Sequence, residues 1–236
     1  MFYTGTSRQE DGKVQRIGLA TSQDLFNWSK HPASPIIPID PKWYEVFDQN
    51  LWYEESWRDP WIFELDGKFH ALITARADYG EARGRGLIGH ACSEDLMHWS
   101  VAAPLTASGD FAYMEVPQLI NIGTKWYLLF CVNQGNYSEK RIGAKQGQSI
   151  SGTYYLMGDH PLGPFTLPDQ DLLLGDEEGS AYSGKMIRDP SGQWVLLVTL
   201  QNHPTRCFLG DLSDPIPVTV QSNGELKVFK PEGLGN

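Results

Sequence analysis

Cysteine is scarce in this 236-residue chain: only Cys92, Cys131 and Cys207 occur. An odd count without metal-like spacing, each residue in or beside an apolar run, excludes a disulfide framework. The three read as small buried hydrophobes and lean toward a reducing compartment. Long hydrophobic runs are also missing. Nothing approaches a membrane span, and Met1-Phe2-Tyr3-Thr4-Gly5 has neither the basic segment nor the apolar stretch of a signal peptide. The expectation is therefore no membrane association, with a cytoplasmic location or no visible address. Positive charge is short, with 19 Lys and Arg against 29 Asp and Glu and a net charge of -10. Such a surface repels phosphate, which argues against nucleic acid and anionic membranes and favours a neutral or small polar ligand. No convincing amphipathic helix is present. None of the six His residues has a partner at metal-ligand spacing, and Gly80 to Gly86 lacks a strand-to-helix phosphate signature, so neither metal nor cofactor is expected.

Aromatic residues are plentiful by contrast, with eight Trp and ten Tyr, most of them expected in the core and a few suited to stacking on sugar rings. Internal repetition is plentiful too. Ile17 to Ser29 (Ile-Gly-Leu-Ala-Thr-Ser-Gln-Asp-Leu-Phe-Asn-Trp-Ser) matches Ile88 to Ser100 (Ile-Gly-His-Ala-Cys-Ser-Glu-Asp-Leu-Met-His-Trp-Ser) without a gap, at an offset of 71. A second unit, a strand, a Gly-containing turn and a strongly apolar strand, recurs at Ile62 to Thr74, Leu119 to Phe130 and Met186 to Val198. These are hairpins. Four-stranded units at this spacing predict an all-β fold of β-propeller type. In each copy of Asp-Leu-x-x-Trp the Asp is expected to cap a turn and the Trp to fill the wedge between blades.

Two strings place acids at the start of strands: Trp57-Arg58-Asp59-Pro60 and Tyr113-Met114-Glu115-Val116-Pro117. Asp59 and Glu115 are expected at equivalent places in two repeats, converging on one cavity, and paired carboxylates at a cavity are what glycosidic bond cleavage requires. Arg188-Asp189-Pro190 repeats the first tripeptide inside a hairpin, before Ser191-Gly192, where it reads as a turn alone.

The series Phe2 to Gly5, Ile17 to Trp28, Arg58-Asp59-Pro60, Glu115-Val116-Pro117 and Ala181-Tyr182-Ser183-Gly184 resembles family 32 glycoside hydrolases, the invertase, inulinase and levanase group. The resemblance implies a five-bladed β-propeller and retaining hydrolysis of β-fructofuranosides such as sucrose or fructans. It implies Glu115 as general acid/base, kept partly protonated by an apolar surround and by Asp59. Asp59 would bind sugar hydroxyls and steady the transition state, with Arg58 orienting Asp59 through a charge-assisted hydrogen bond. Trp57 and Tyr182 would wall the sugar pocket. Val116 stands where that family has Cys, which suggests a divergent branch.

Laid out on that pattern, 1–30 is the rest of blade 2, 31–57 a connection, 58–105 blade 3, 113–170 blade 4 and 181–230 blade 5 of a single partial propeller domain without a C-terminal β-sandwich. The first blade, the first strand of the second and the attacking Asp are expected to lie outside the sequence. Full activity would need them. Alternatives are an inverting arabinosidase- or xylosidase-like propeller enzyme and a catalytically inactive carbohydrate-binding propeller. Open blade edges predict self-association. The aromatic connection His31 to Trp57 is either a loop at the cavity mouth or a packed seam, and Asn133 to Ser149 reads as a polar, mobile loop without chemistry.

Overall fold

Short apolar runs closed by turn formers make strands, and the computed structural model, which describes residues 1–203 and 207–229, is accordingly all-β apart from one short helix and three 3-10 turns. It divides into two compact units, Met1–Pro117 and Gln118–Asn236. The first holds a sheet of β1 (Phe2–Gly5), β2 (Arg16–Thr21) and β3 (Ser29–Lys30), and a second of β4 (Arg58–Leu65), β5 (Lys68–Arg76), β6 (Gly86–Ser93) and β7 (Trp99–Ala102), each in sequence order. β8 (Glu115–Ile122) begins in the first unit and runs into the second. There it pairs with β9 (Lys125–Val132), followed by β10 (Ser151–Gly158), β11 (Phe165–Thr166) and β12 (Leu172–Asp176). The last sheet contains β13 (Ala181–Arg188), β14 (Trp194–His203), β15 (Cys207–Leu212), β16 (Ile216–Val220) and β17 (Leu226–Val228). Four sheets, rather than five, lie within the described residues. No described helix is long and apolar enough to cross a membrane.

The hairpin turns form where the sequence places glycine. Between β4 and β5, Asp66 and Gly67 both take positive φ (50° and 75°), the conformation that two-residue hairpins need and that Asp and Gly tolerate. The repeated Asp-Leu-x-x-Trp is the same turn twice. Asp24 accepts the N–H of Phe26 and Asn27 at 2.9 and 2.7 Å, and Asp95 those of Met97 and His98 at 2.8 Å each. Leu25 and Leu96 go left-handed (φ 64° and 66°), and each indole N–H returns to that leucine's carbonyl at 3.0 Å. The donors hold both carboxyls well below the ordinary range: for Asp24 chiefly the Asn27 amide, for Asp95 chiefly His98. The two Trp differ. Trp99 meets Phe2 edge-on at 5.6 Å and packs against the core of the first unit, whereas Trp28 is 39% exposed and fills no wedge among the described residues.

That core is built on β5 and β6, whose apolar runs are buried on both faces, and on the 31–57 connection. Tyr44 and Trp57 are each 1% exposed. The Tyr44 hydroxyl donates to the Ala102 carbonyl at 2.6 Å and accepts the His90 N–H at 3.0 Å, while the Trp57 indole donates to the Ile37 carbonyl at 2.8 Å. The connection is therefore a packed seam at Ile36–Ile37, Tyr44–Glu45 and Glu55–Trp57, and it faces outward between them, through Val46, Leu51 and Tyr53 among others.

One buried contact here has a pH consequence. His90 stands where the repeated string has Leu19, and its Nε2 lies 2.9 Å from Nδ1 of His70, the two rings nearly coplanar at 7°. Burial, and after it the charge of His70, pushes His90 down to about 4; burial and Lys68 lower His70. Both groups bind protons more weakly in the folded chain than in the unfolded one, so their stabilising contribution is complete above pH ~6.5 and drains away as pH falls toward 4. For His90 alone the loss amounts to about 3 kcal/mol. Urea unfolding between pH 7 and 4 should show this slope, and His90→Leu, which restores the residue of the first repeat, should flatten it.

The second unit centres on Tyr127, Leu129, Tyr155, Leu174, Leu196 and Ile216. Its stretch after β9, expected to be a mobile polar loop, instead contains a 3-10 turn (Gln134–Asn136) and helix α1 (Glu139–Ala144). Ser138 caps α1 by accepting the Arg141 N–H at 3.1 Å, and buried Arg141 pairs with buried Asp171. The sequence signal failed here because the ordering comes from a tertiary ion pair rather than from helical periodicity. Cys131 is buried, its Sγ 3.4 Å from Thr153 Oγ1, Cys92 is half-buried, and the Cys207 side chain lies outside the described residues.

Candidate active site

Three strands open with the same local distortion. Asp59 in β4, Val116 in β8 and Ser183 in β13 have φ of 57°, 46° and 53°, and the register against the next strand slips at 58–61 and at 182–185. Asp tolerates a left-handed backbone; a β-branched Val there is a genuine outlier, held only where the surroundings over-determine it. The shared distortion also corrects the repeat alignment. Asp59 corresponds to Val116 and Ser183, so Glu115 is equivalent to Arg58 and Tyr182, one residue away from the equivalence expected of the two acids.

A straight strand turns successive side chains to opposite faces. The bulge suspends that rule, and both Arg58 and Asp59 reach Glu115's neighbourhood. Arg58 donates from Nη2 to Glu115 Oε1 at 2.8 Å, and from Nη1 to Glu54 Oε1 and Gln15 Oε1 at 3.1 Å each and to Ser56 Oγ at 3.2 Å. Its guanidinium lies 4.6 Å from the centre of the Tyr113 ring. Asp59 donates its N–H to Thr4 Oγ1 at 3.0 Å, and its Oδ2 accepts from the Thr74 hydroxyl at 3.1 Å and from the Val116 N–H at 3.2 Å. Asp59 and Glu115 thus meet around one arginine, each with roughly a quarter of its side chain exposed, 24% and 23%.

The partners differ from expectation in two respects. Arg58 Nε stands 3.6 Å from Asp59 Oδ2, an ion pair but too long for a hydrogen bond, so Thr74 and the Val116 amide orient Asp59 instead. The immediate partner of Glu115 is a guanidinium rather than an apolar surround. Burial opposes the Arg58 charge, but Glu115, Glu54 and Asp59 outweigh it and raise that pKa above its ordinary value. Arg58 faces three carboxylates, Glu54, Asp59 and Glu115. Their oxygens are acceptors for the hydroxyls of a neutral ligand.

A second layer fixes the first. Tyr113 is buried, which pushes its hydroxyl up, as does its hydrogen bond with Tyr53, and that hydroxyl accepts the Trp52 indole N–H. Trp52 lies against Arg76 at 4.0 Å. Arg76, 1% exposed, donates to Glu45 Oε1 at 2.7 Å and to the carbonyls of Ala112 and Ala82 at 2.9 Å each. Sequence reasoning missed Thr74, Gln15, Glu54, Tyr113 and Arg76. A hydroxyl in the apolar run Ala71-Leu72-Ile73-Thr74-Ala75, and a Glu four residues before Arg58, were the available signals.

Trp57 does not join the site. Its indole is buried against Tyr44 at 5.0 Å, because the residue before the bulged arginine points into the core. Tyr182 is half-buried in β13 of the second unit, at the position equivalent to Arg58 and Glu115. Arg188-Asp189-Pro190 forms a turn, with Asp189 accepting the N–H of Ser191 and Gln193 at 2.9 Å each. Among the described residues no cluster of His, Cys, Asp or Glu is arranged to hold a metal.

Sheets of this kind, three of them opening on a left-handed residue, define a class of fold, the β-propeller. Comparison with known proteins narrows it. The profile of the glycosyl hydrolases family 32 N-terminal domain matches residues 1–206, and the chain belongs to that family. It is similar to a sucrose-6-phosphate hydrolase of Staphylococcus xylosus, 29% identical over 204 residues, covering 84% of this chain and 37% of the relative. It is also similar to an extracellular exo-inulinase of Aspergillus awamori, 27% identical, covering 72% and 29%. The chain thus spans about a third of the length of these curated relatives. Among solved structures it superposes on an inulosucrase from Halalkalicoccus jeotgali bound to kestose, with a TM-score of 0.76 at 18% identity over 97% of this chain and 66% of the other. A Bacillus subtilis levansucrase gives 0.72 at 16% identity, covering 98% and 64%. These likenesses show the β-propeller fold.

Proposed function

We propose that this chain carries two of the three carboxylates of a retaining β-fructofuranosidase, and that its substrates are neutral fructosides such as sucrose or fructans. The carrying observation is the meeting of Asp59 and Glu115 around Arg58. Glu115 gives its proton to the leaving oxygen and later takes one from water; Asp59 accepts hydroxyl hydrogens of the fructosyl ring and stabilises the positive charge that develops there. The attacking carboxylate comes from a further propeller blade, the first of five. The carboxylates around Arg58 accept from hydroxyl donors, which a neutral fructoside supplies.

The test is turnover of sucrose and inulin by a polypeptide joining this chain to a first blade of the family, with the anomer released followed by NMR. Net retention supports the assignment; inversion transfers it to the arabinosidase- and xylosidase-like alternative. Calorimetry of the chain alone with fructose separates a sugar-binding module from a silent scaffold.

A further inference from the structure

We infer that Thr74 is a positioning residue for the acid pair, tying Asp59 to both peptide groups that flank Glu115. The inference rests on the reading of Asp59 and Glu115 given above. Thr74 lies in β5 and is fully buried, 0% exposed, in an otherwise apolar run. A hydroxyl in such surroundings is costly unless bonded. Its Oγ1 is 3.1 Å from Asp59 Oδ2 and 3.2 Å from the Met114 carbonyl oxygen. The same Oδ2 accepts the Val116 N–H at 3.2 Å. The carbonyl of the peptide before Glu115 and the N–H of the peptide after it therefore both end on one hydroxyl–carboxylate pair.

A threonine hydroxyl has a single proton, and two acceptors face it here. It is shared between Asp59 and Met114, so a movement of either acid's backbone is felt by the other. This tether also explains how Val116 keeps a φ of 46°, since an unfavourable backbone persists only where neighbours fix it from several sides. Loss of the hydroxyl should free the Asp59 carboxylate to turn and release the peptide after Glu115, without touching a group that reacts.

Thr74→Val removes the hydroxyl at nearly constant volume, and Thr74→Ser keeps it. Amide hydrogen exchange read by NMR in the present chain should show Val116 exchanging about 10-fold faster in Thr74→Val, the size of one weakened hydrogen bond to a charged group. The amides of Leu72 and Ile88 should stay within about 2-fold of wild type, and Thr74→Ser should restore Val116. A rise spread evenly over the unit, or no rise at Val116, overturns the inference, since a merely structural hydroxyl would give that result. If Thr74→Val does not fold, Thr74→Ala, with room for a water, is read the same way. Fructose affinity by calorimetry is the second readout and should fall in Thr74→Val and recover in Thr74→Ser. Absence of fructose binding in the wild-type chain would count against the carbohydrate reading, while the exchange result would still decide the positioning role.

Discussion

Replacing Arg58 by Met is expected to cost about 3–5 kcal/mol of stability at pH 7, because it removes the cation from a partly buried group of three acids. The methylene stem is replaced almost volume for volume, so the loss is electrostatic. Glu54, Asp59 and Glu115 each lose an ion pair, and Gln15 and Ser56 lose a donor. Urea unfolding at pH 7 measures the loss. Arg58→Lys should recover only part of the loss, since an ammonium is a single point of charge and cannot span Glu115 and Glu54 with a planar fork. An unfolding midpoint for Arg58→Met equal to that of wild type would show that the cluster is already solvent-neutralised.

The second large effect concerns chemistry. In a polypeptide completed with the blade that supplies the attacking group, Glu115→Gln should lower kcat on sucrose by about 10²–10⁴-fold. Its KM should change little, because the amide oxygen still accepts from Arg58. The deficit should shrink for a fructoside whose leaving group departs without a proton, which separates proton donation from sugar positioning. Equal deficits on both substrates would make Glu115 a binding residue. Unchanged turnover would remove it from the site.

The elements that could be read in advance are those whose causes are local. Asp24 and Asp95 cap identical turns because an Asp side chain reaches its own following amides, and Asp66-Gly67 turns because both residues accept positive φ. The acids could be found because Arg-Asp-Pro and Glu-Val-Pro each open a strand. What stayed hidden depends on partners distant in sequence. Thr74 reaches Met114 across 40 residues, Arg76 reaches Glu45 across 31, and Arg141 reaches Asp171 across 30. Trp57 adjoins Arg58 in sequence, yet its indole is held in the core by Tyr44 and the Ile37 carbonyl, partners 13 and 20 residues away. The offset of one between Asp59 and Glu115 is legible in the two prolines, since Pro60 and Pro117 each follow the left-handed residue and so pair Asp59 with Val116.

The bulge at Asp59 limits what can be transplanted. Arg58-Asp59-Pro60 grafted onto a regular ribbon would splay its two ionic groups to either side, and the chain carries its own illustration in Arg188-Asp189-Pro190, which has the same letters without the left-handed Asp and makes only a reverse turn. A designer borrowing this chemistry has to copy a bent stretch of backbone together with whatever holds it bent, and the side chains come second.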